Sequence, residues 1–194
     1  FACLLGSDRT SKSSRIAEII SGLAQLAEVV KECLKLADQV KEIAKRYFTV
    51  KSCLLVGRGN HSATCLEGAL KVKEIPYIHS EGILSGELKH GPLALVDENM
   101  LIITIVTDCR IFSKCINALQ QILARQAKPV IITDCFDQID VQDSVDVLKI
   151  PHTIDCLQAI PAIIPLQLLS LYLAKLRGHD VDCPRNLAKS VTVE

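Results

Sequence analysis

Four short apolar runs, each separated from the next by a helical or irregular stretch, restrict this chain more than any other feature. Ser52-Cys53-Leu54-Leu55-Val56 comes first, and Met100–Val106 and Pro129–Thr133 follow; Val147–Ile150 is a weaker fourth. Helical patterns occupy 61–74, 111–127 and 154–177. Strands that are apolar on both faces and alternate with helices imply a parallel sheet covered on both sides. The crossovers should be right-handed, and ligands should lie outside the carboxyl ends of the strands. That places Gly57–Gly59, Asp108 and Asp134 near one rim. The expected class is α/β, a three-layer α/β/α domain over 50–178 with a parallel sheet flanked by helices.

The flanks read differently. Residues 1–14 are polar and are expected to be a linker. Over 15–49, Leu23, Leu26, Val30, Cys33 and Ala37 recur at intervals of three and four, which predicts a helical connecting arm. Leu36, Val40, Ile43 and Tyr47 form a second phase. The change around Lys35 predicts two helices rather than one. The start, Phe1-Ala2-Cys3-Leu4-Leu5-Gly6, has neither an initiating Met nor a basic n-region. It reads as the cut edge of a longer chain rather than a signal peptide.

Composition narrows the function. With 22 basic and 22 acidic side chains, no basic surface is available to hold nucleic acid by counterion release. An anionic ligand must then meet a local constellation. The 9 cysteines are odd in number, form no Cys-x-x-Cys and sit partly inside apolar runs. That is the usage of free thiols in a reducing compartment, so a cytoplasmic protein is expected, with no zinc site or other metal. Leu157–Ala174 has nearly the length of a membrane span, but it carries Gln158, Gln167, Pro161 and Pro165. A buried helix of an α/β domain is the expectation, with no membrane partner.

Three segments carry groups suited to catalysis. In Leu66–Pro76, Glu67, Lys71 and Glu74 fall at i, i+4 and i+7 and share one helix face. Pro76 stops the helix, so Glu74 occupies its last turn. There the carboxylate faces the negative end of the helix dipole, a setting that suits a group taking and returning a proton beside a carbonyl. An ordinary surface Glu–Lys pair has the same spacing. In Ser80–Leu93, two glycines and a Gly-Pro step bracket a turn holding Glu87, Lys89 and His90. Histidine titrates near neutrality and suits proton transfer to a sugar-ring oxygen, though a helix-terminal capping role explains it equally well. The tail, 179–194, has no periodicity. A solvated tail is the plain reading, but Leu187, Val191 and Val193 ask for a packing partner. Folded over the sheet, it would bring Lys189 into a drier setting where a neutral amine forms an imine with a ketone. Gly57-Arg58-Gly59 has the look of an anion-binding turn, but lacks the third glycine of a dinucleotide fingerprint and any Gly-Lys-Ser/Thr.

Taken together, Leu66–Glu74, Gly86–Leu95 and Pro184–Glu194, with Ile164–Leu169 and Asp180-Val181-Asp182, closely resemble the isomerase part of the glutamine–fructose-6-phosphate aminotransferase family. Ala63–Glu67 and His79–Leu84 resemble its eukaryotic branch. The resemblance runs from about residue 15 to the end. It implies the second of two sugar-isomerase (SIS) domains and an active-site tail over 179–194. The activity implied is formation of glucosamine-6-phosphate from fructose-6-phosphate and glutamine, in amino-sugar synthesis. By the same resemblance, Lys189 forms the imine at C2 and Glu74 moves a proton between C1 and C2. Lys71 assists, and His90 opens the sugar ring in a neighbouring subunit's site. Ala188 and Lys189 would contact the sugar phosphate, and Gly59 and His61 would contact UDP-N-acetylglucosamine as inhibitor. No cofactor is implied, and the complete protein should be a homo-oligomer, a dimer or tetramer. The glutaminase motifs and the Ser/Thr-rich phosphate loop of the family have no counterpart in these residues, so this chain alone is expected to be inactive. The alternative is a non-catalytic SIS module that binds sugar phosphates or amino-sugar nucleotides in a regulatory role.

Overall fold

A computed structural model describes residues 1–142 and 144–185. Its helices are α1 (Ala2–Leu5), α2 (Ser13–Leu34), α3 (Ala37–Tyr47), α4 (Asn60–Glu74), α5 (Phe112–Leu123) and α6 (Ala159–Leu176). The strands are β1 (Ser52–Gly57), β2 (His79–Leu84), β3 (Leu101–Ile105), β4 (Val130–Thr133) and β5 (Val147–Lys149). They form one parallel sheet in the order β2-β1-β3-β4-β5. Two 3-10 turns, Ser85–His90 and Pro92–Leu95, follow β2.

The strands split their side chains between two cores, as the period of two requires. Cys53, Leu55, Leu101, Ile103, Ile105, Val130 and Ile132 join α3, α4 and α6 on one face. Leu54, Val56 and Ile102 meet Ala118 and Ile122 of α5 on the other, together with Leu88 and Leu93 of the 3-10 turns. Ile131 packs there too, against Leu119. The expected three layers are present. Helix α6 has the length and composition of a membrane span, yet it lies against α2, α3 and α4 with Leu166, Leu169 and Leu173 buried.

Two expectations change. Residues 1–14 hold the helical turn α1 and a 3-10 turn at Thr10–Lys12 before α2 begins at Ser13, because Ala2-Cys3-Leu4-Leu5 is a run with ready helix propensity. The sequence reading also misses β2. This strand is at the sheet edge and buries only Ser80 and Ile83 of its six residues, so it has no unbroken apolar run. Gly82 makes its docking feasible: a Cβ there would stand 2.8 Å from backbone atoms of Cys65 and Leu66 in α4. The change of phase near Lys35 does separate two helices, α2 and α3.

Candidate active site

Helix α4 runs from one rim of the sheet to the other, and its two ends carry different chemistry. It begins after β1 through Gly59, whose φ of +60° and ψ of −127° suit glycine alone. It ends at Glu74 on the rim where the strands start, because Ile75-Pro76 cannot extend it and β2 begins at His79 beside Ser52 of β1.

At that lower end, Lys71 Nζ lies 2.9 Å from Glu74 Oε2 and 3.4 Å from Glu67 Oε1. The three groups share one face, as the spacing predicts. The side chains of Lys71 and Glu74 are 28% and 25% exposed, half-hidden but open to a ligand. Its hydrogen bond to the Glu74 carboxylate, aided by the charges of Glu67 and Glu74, holds the Lys71 ammonium above the ordinary lysine range. A carboxylate with a lysine across it, at an open helix end, is equipped to shuttle a proton.

The loop after Glu74 is tied down by residues that the sequence reading does not single out. Arg177, just beyond α6, donates from Nε to Phe48 O (2.7 Å), from Nη1 to Pro76 O (3.0 Å) and from Nη2 to Val50 O (2.6 Å). Tyr77 has a positive φ of 56°. Its ring meets the His179 imidazole at 4.7 Å between centroids and lies 4.4 Å from the Arg185 guanidinium carbon. Its Oη accepts from the Arg185 backbone N–H at 2.7 Å. The start of the C-terminal segment is therefore fixed three residues beyond Glu74. Ala188 and Lys189 lie outside the described residues. An Arg at a helix end and a Tyr after a Pro carry no periodic signal; their partners are more than 100 residues away in sequence.

His90 is elsewhere. It closes the 3-10 turn that follows β2 and is exposed. Leu88 of that turn packs with α5 on one face of the sheet, whereas α4 packs with α6 on the other. One copy of the chain thus does not bring Glu74 and His90 together.

Gly59 and His61 are at the rim where the strands end, in the crevice between β1 and β3 where the strand order reverses. Gly59 is exposed. His61 is buried, with Nε2 2.8 Å from Thr107 Oγ1 and Nδ1 3.5 Å from Thr64 Oγ1. Burial pushes its pKa below the ordinary histidine value, partly countered by the charge of Asp134. Asp108 and Asp134 do share this rim: the Asp108 N–H donates to Asp134 Oδ1 (2.8 Å), while His152 Nδ1 lies 2.8 Å from Oδ2. Among the described residues no group of three His, Cys, Asp or Glu is arranged to hold a metal ion.

The pattern of the SIS domain matches residues 46–177. The chain is 54% identical over all 194 residues to glutamine–fructose-6-phosphate aminotransferase [isomerizing] 1 of Rattus norvegicus, of which it covers 28%. It is 50% identical to the corresponding aminotransferase of Saccharomyces cerevisiae, again over the whole chain and 28% of the relative. The part matched is C-terminal. Among solved structures, the C-terminal domain of glucosamine-fructose-6-phosphate aminotransferase from Francisella tularensis is 36% identical with a TM-score of 0.81. That match covers 87% of this chain and 47% of the other. The chain therefore spans little more than a quarter of the curated relatives and about half of that solved domain. A parallel five-stranded sheet between two helical layers, read with these matches, establishes that the chain belongs to the SIS domain family.

Proposed function

We propose that this chain supplies the second isomerase domain of an enzyme making glucosamine-6-phosphate and glutamate from fructose-6-phosphate and glutamine. The observation that carries the reading is the Lys71–Glu74 pair at an open helix end with the start of the C-terminal segment fixed beside it. In this mechanism the Lys189 amine adds to the C2 carbonyl of the open-chain sugar, and water leaves to give the imine. Ammonia released from glutamine then displaces the lysine. Glu74 carries the proton between C1 and C2, and Lys71, which donates a hydrogen bond to its carboxylate, assists. Positioning and proton transfer of this kind each supply large rate factors without a cofactor.

His90 would open the sugar ring in a second copy's site, a reading supported by its turn packing on the face of the sheet opposite α4. The phosphate anchor would come from a further domain, the place that the resemblance implies for the family's Ser/Thr-rich phosphate loop. Binding energy from the phosphate normally orients the reacting carbon, so the 194 residues alone should turn over little substrate. Substrate, homo-oligomeric assembly and a cytoplasmic setting belong to the same proposal. So does a UDP-N-acetylglucosamine site at Gly59 and His61; because the His61 ring is engaged by Thr107, contact there would fall to the loop backbone.

The test is borohydride trapping with fructose-6-phosphate and peptide mapping, on this chain and on one extended upstream through a second SIS domain. An adduct on Lys189 only in the extended protein is the expected outcome. No adduct in either, with both folded, would overturn the imine role and favour a regulatory module.

A further inference from the structure

We infer that Cys109 and Cys115 form a redox-modification site, a dithiol that a hydroperoxide converts to a disulfide joining the β3–α5 loop to the first turns of α5. The inference is independent of the sugar chemistry proposed above.

Contact comes first. The Cys109 and Cys115 thiols share a hydrogen bond, although no Cys-x-x-Cys spacing announces them. The chain between them is folded back on itself: the Phe112 N–H donates to Cys109 O at 2.9 Å, and the Cys115 N–H donates to Ile111 O at 3.2 Å. A disulfide needs its sulfurs about 2.05 Å apart. Thiols already in hydrogen-bonding contact have a short way to move.

The two sulfurs also differ in access. Cys109 is half-buried, whereas Cys115 is 6% exposed. A thiol open to solvent meets a dissolved oxidant, and a buried one reacts with whatever sulfur is already beside it. Burial, with the adjoining Cys109 thiol next in effect, pushes the Cys115 thiol up to about 11. It therefore stays protonated near neutral pH and does not compete for the oxidant. The third sulfur of this region, Cys135, is engaged elsewhere, 3.4 Å from Thr133 Oγ1 and 4.0 Å from Val106 O. Cys115 is left as the partner. Dithiols of this kind in a reducing compartment are transient sensors rather than permanent staples.

The chemistry runs in two steps. The Cys109 thiolate attacks one oxygen of the hydroperoxide and the O–O bond breaks. The departing oxygen leaves as water or an alcohol after taking up a proton, and the sulfur, oxidised by two electrons, becomes a sulfenic acid. The Cys115 sulfur then attacks that of Cys109. The S–S bond forms, the S–O bond breaks, and the hydroxyl leaves as water with the Cys115 proton. A thiol reductant reverses the change by exchange. The loop that is tied down is the wall of the crevice beside His61 and Gly59. Thr107 Oγ1 stands 2.8 Å from His61 Nε2, and a Cβ on Gly59 would lie 3.0 Å from Ile111 Cδ1.

The experiment uses a full-length aminotransferase whose C-terminal portion is this chain. The reduced, folded protein is treated with hydrogen peroxide, alkylated, and mapped by mass spectrometry without reductant. Trypsin cuts after Arg110 and Lys114, so the two cysteines fall in different peptides. The expected product is a joined Cys109–Cys115 peptide pair that a reductant splits. In Cys115→Ala the pair should be lost and Cys109 should be captured as a sulfenic acid by dimedone. In Cys109→Ser, a change at a half-exposed position, Cys115 should stay reduced. Hydrogen exchange over 109–115 should slow in the oxidised protein and recover with reductant. Both thiols still alkylated after the exposed Cys156 has been oxidised would overturn the inference. So would Cys109 joined to Cys135, Cys109 halted as a sulfenic acid in the unaltered protein, or a joined pair that forms only in denaturant. If Cys115→Ala does not fold, the unaltered protein and Cys109→Ser decide the matter, and oxidation of Cys115 in the latter counts against the pair.

Discussion

His61 shows how one buried side chain makes the fold pH-dependent. Its ring is 6% exposed and bonded to Thr107, and burial disfavours its charged form. The folded pKa lies below the unfolded value of 6.5. Below that pH the unfolded chain takes up a proton that the folded chain resists, so the stabilising contribution is full above 6.5 and is lost as pH falls through the window beneath it. Thermal unfolding should therefore show Tm falling more steeply from pH 7 to 5 in the parent than in His61→Gln. Equal slopes would mean that His61 titrates normally. Glu74 and Lys71 were legible at this scale, because i, i+3 and i+4 spacings are local and a proline marks where the helix stops. Tyr77 was not legible, because its role depends on residues a hundred positions away.

Among the elements, α4 and α6 do the positioning. Helix α4 delivers Glu74 to one rim and Gly59 and His61 to the other. Helix α6 ends at Arg177, whose guanidinium satisfies three carbonyls from the loops around the starts of β1 and β2. Removing it leaves Pro76, Val50 and Phe48 without that donor and frees the turn holding Tyr77. For Arg177→Ala we expect a loss of about 2 kcal/mol, as for a charged hydrogen-bonding group with partly exposed partners. At roughly 2–4 °C per kcal/mol for a chain of this size, Tm should fall by about 4–8 °C. A fall of under about 1 °C in calorimetry would mean that water replaces the guanidinium at these carbonyls. The strands β1, β3, β4 and β5 were visible as apolar runs, whereas β2, with only Ser80 and Ile83 buried, was not. An edge strand need not be apolar throughout.

For the whole molecule, the decisive fact is that proposed catalytic groups belong to elements packed on opposite faces of one sheet. Glu74 and Lys71 belong to α4, on the α6 face, whereas the turn that ends at His90 packs on the α5 face. If one active site uses both, it must draw them from two copies. Co-expressing Glu74→Gln and His90→Ala forms of a full-length enzyme carrying this chain should then restore activity that neither has alone. Random pairing that yields no recovery, with mixed oligomers demonstrated by mass, would place both residues in one copy's site.

The sequence by itself determined the α/β class, most of the element order and the pairing of Lys71 with Glu74. These follow from periods of two and 3.6 and from helix-stopping residues, all of which act over a few positions. Only the tertiary structure decided that β2 closes the edge, that Glu74 and His90 face away from one another, and that Tyr77 meets Arg185. Those outcomes depend on which strand lies beside which and where a crossover returns. They are set by packing between residues far apart in the chain, which no local pattern records.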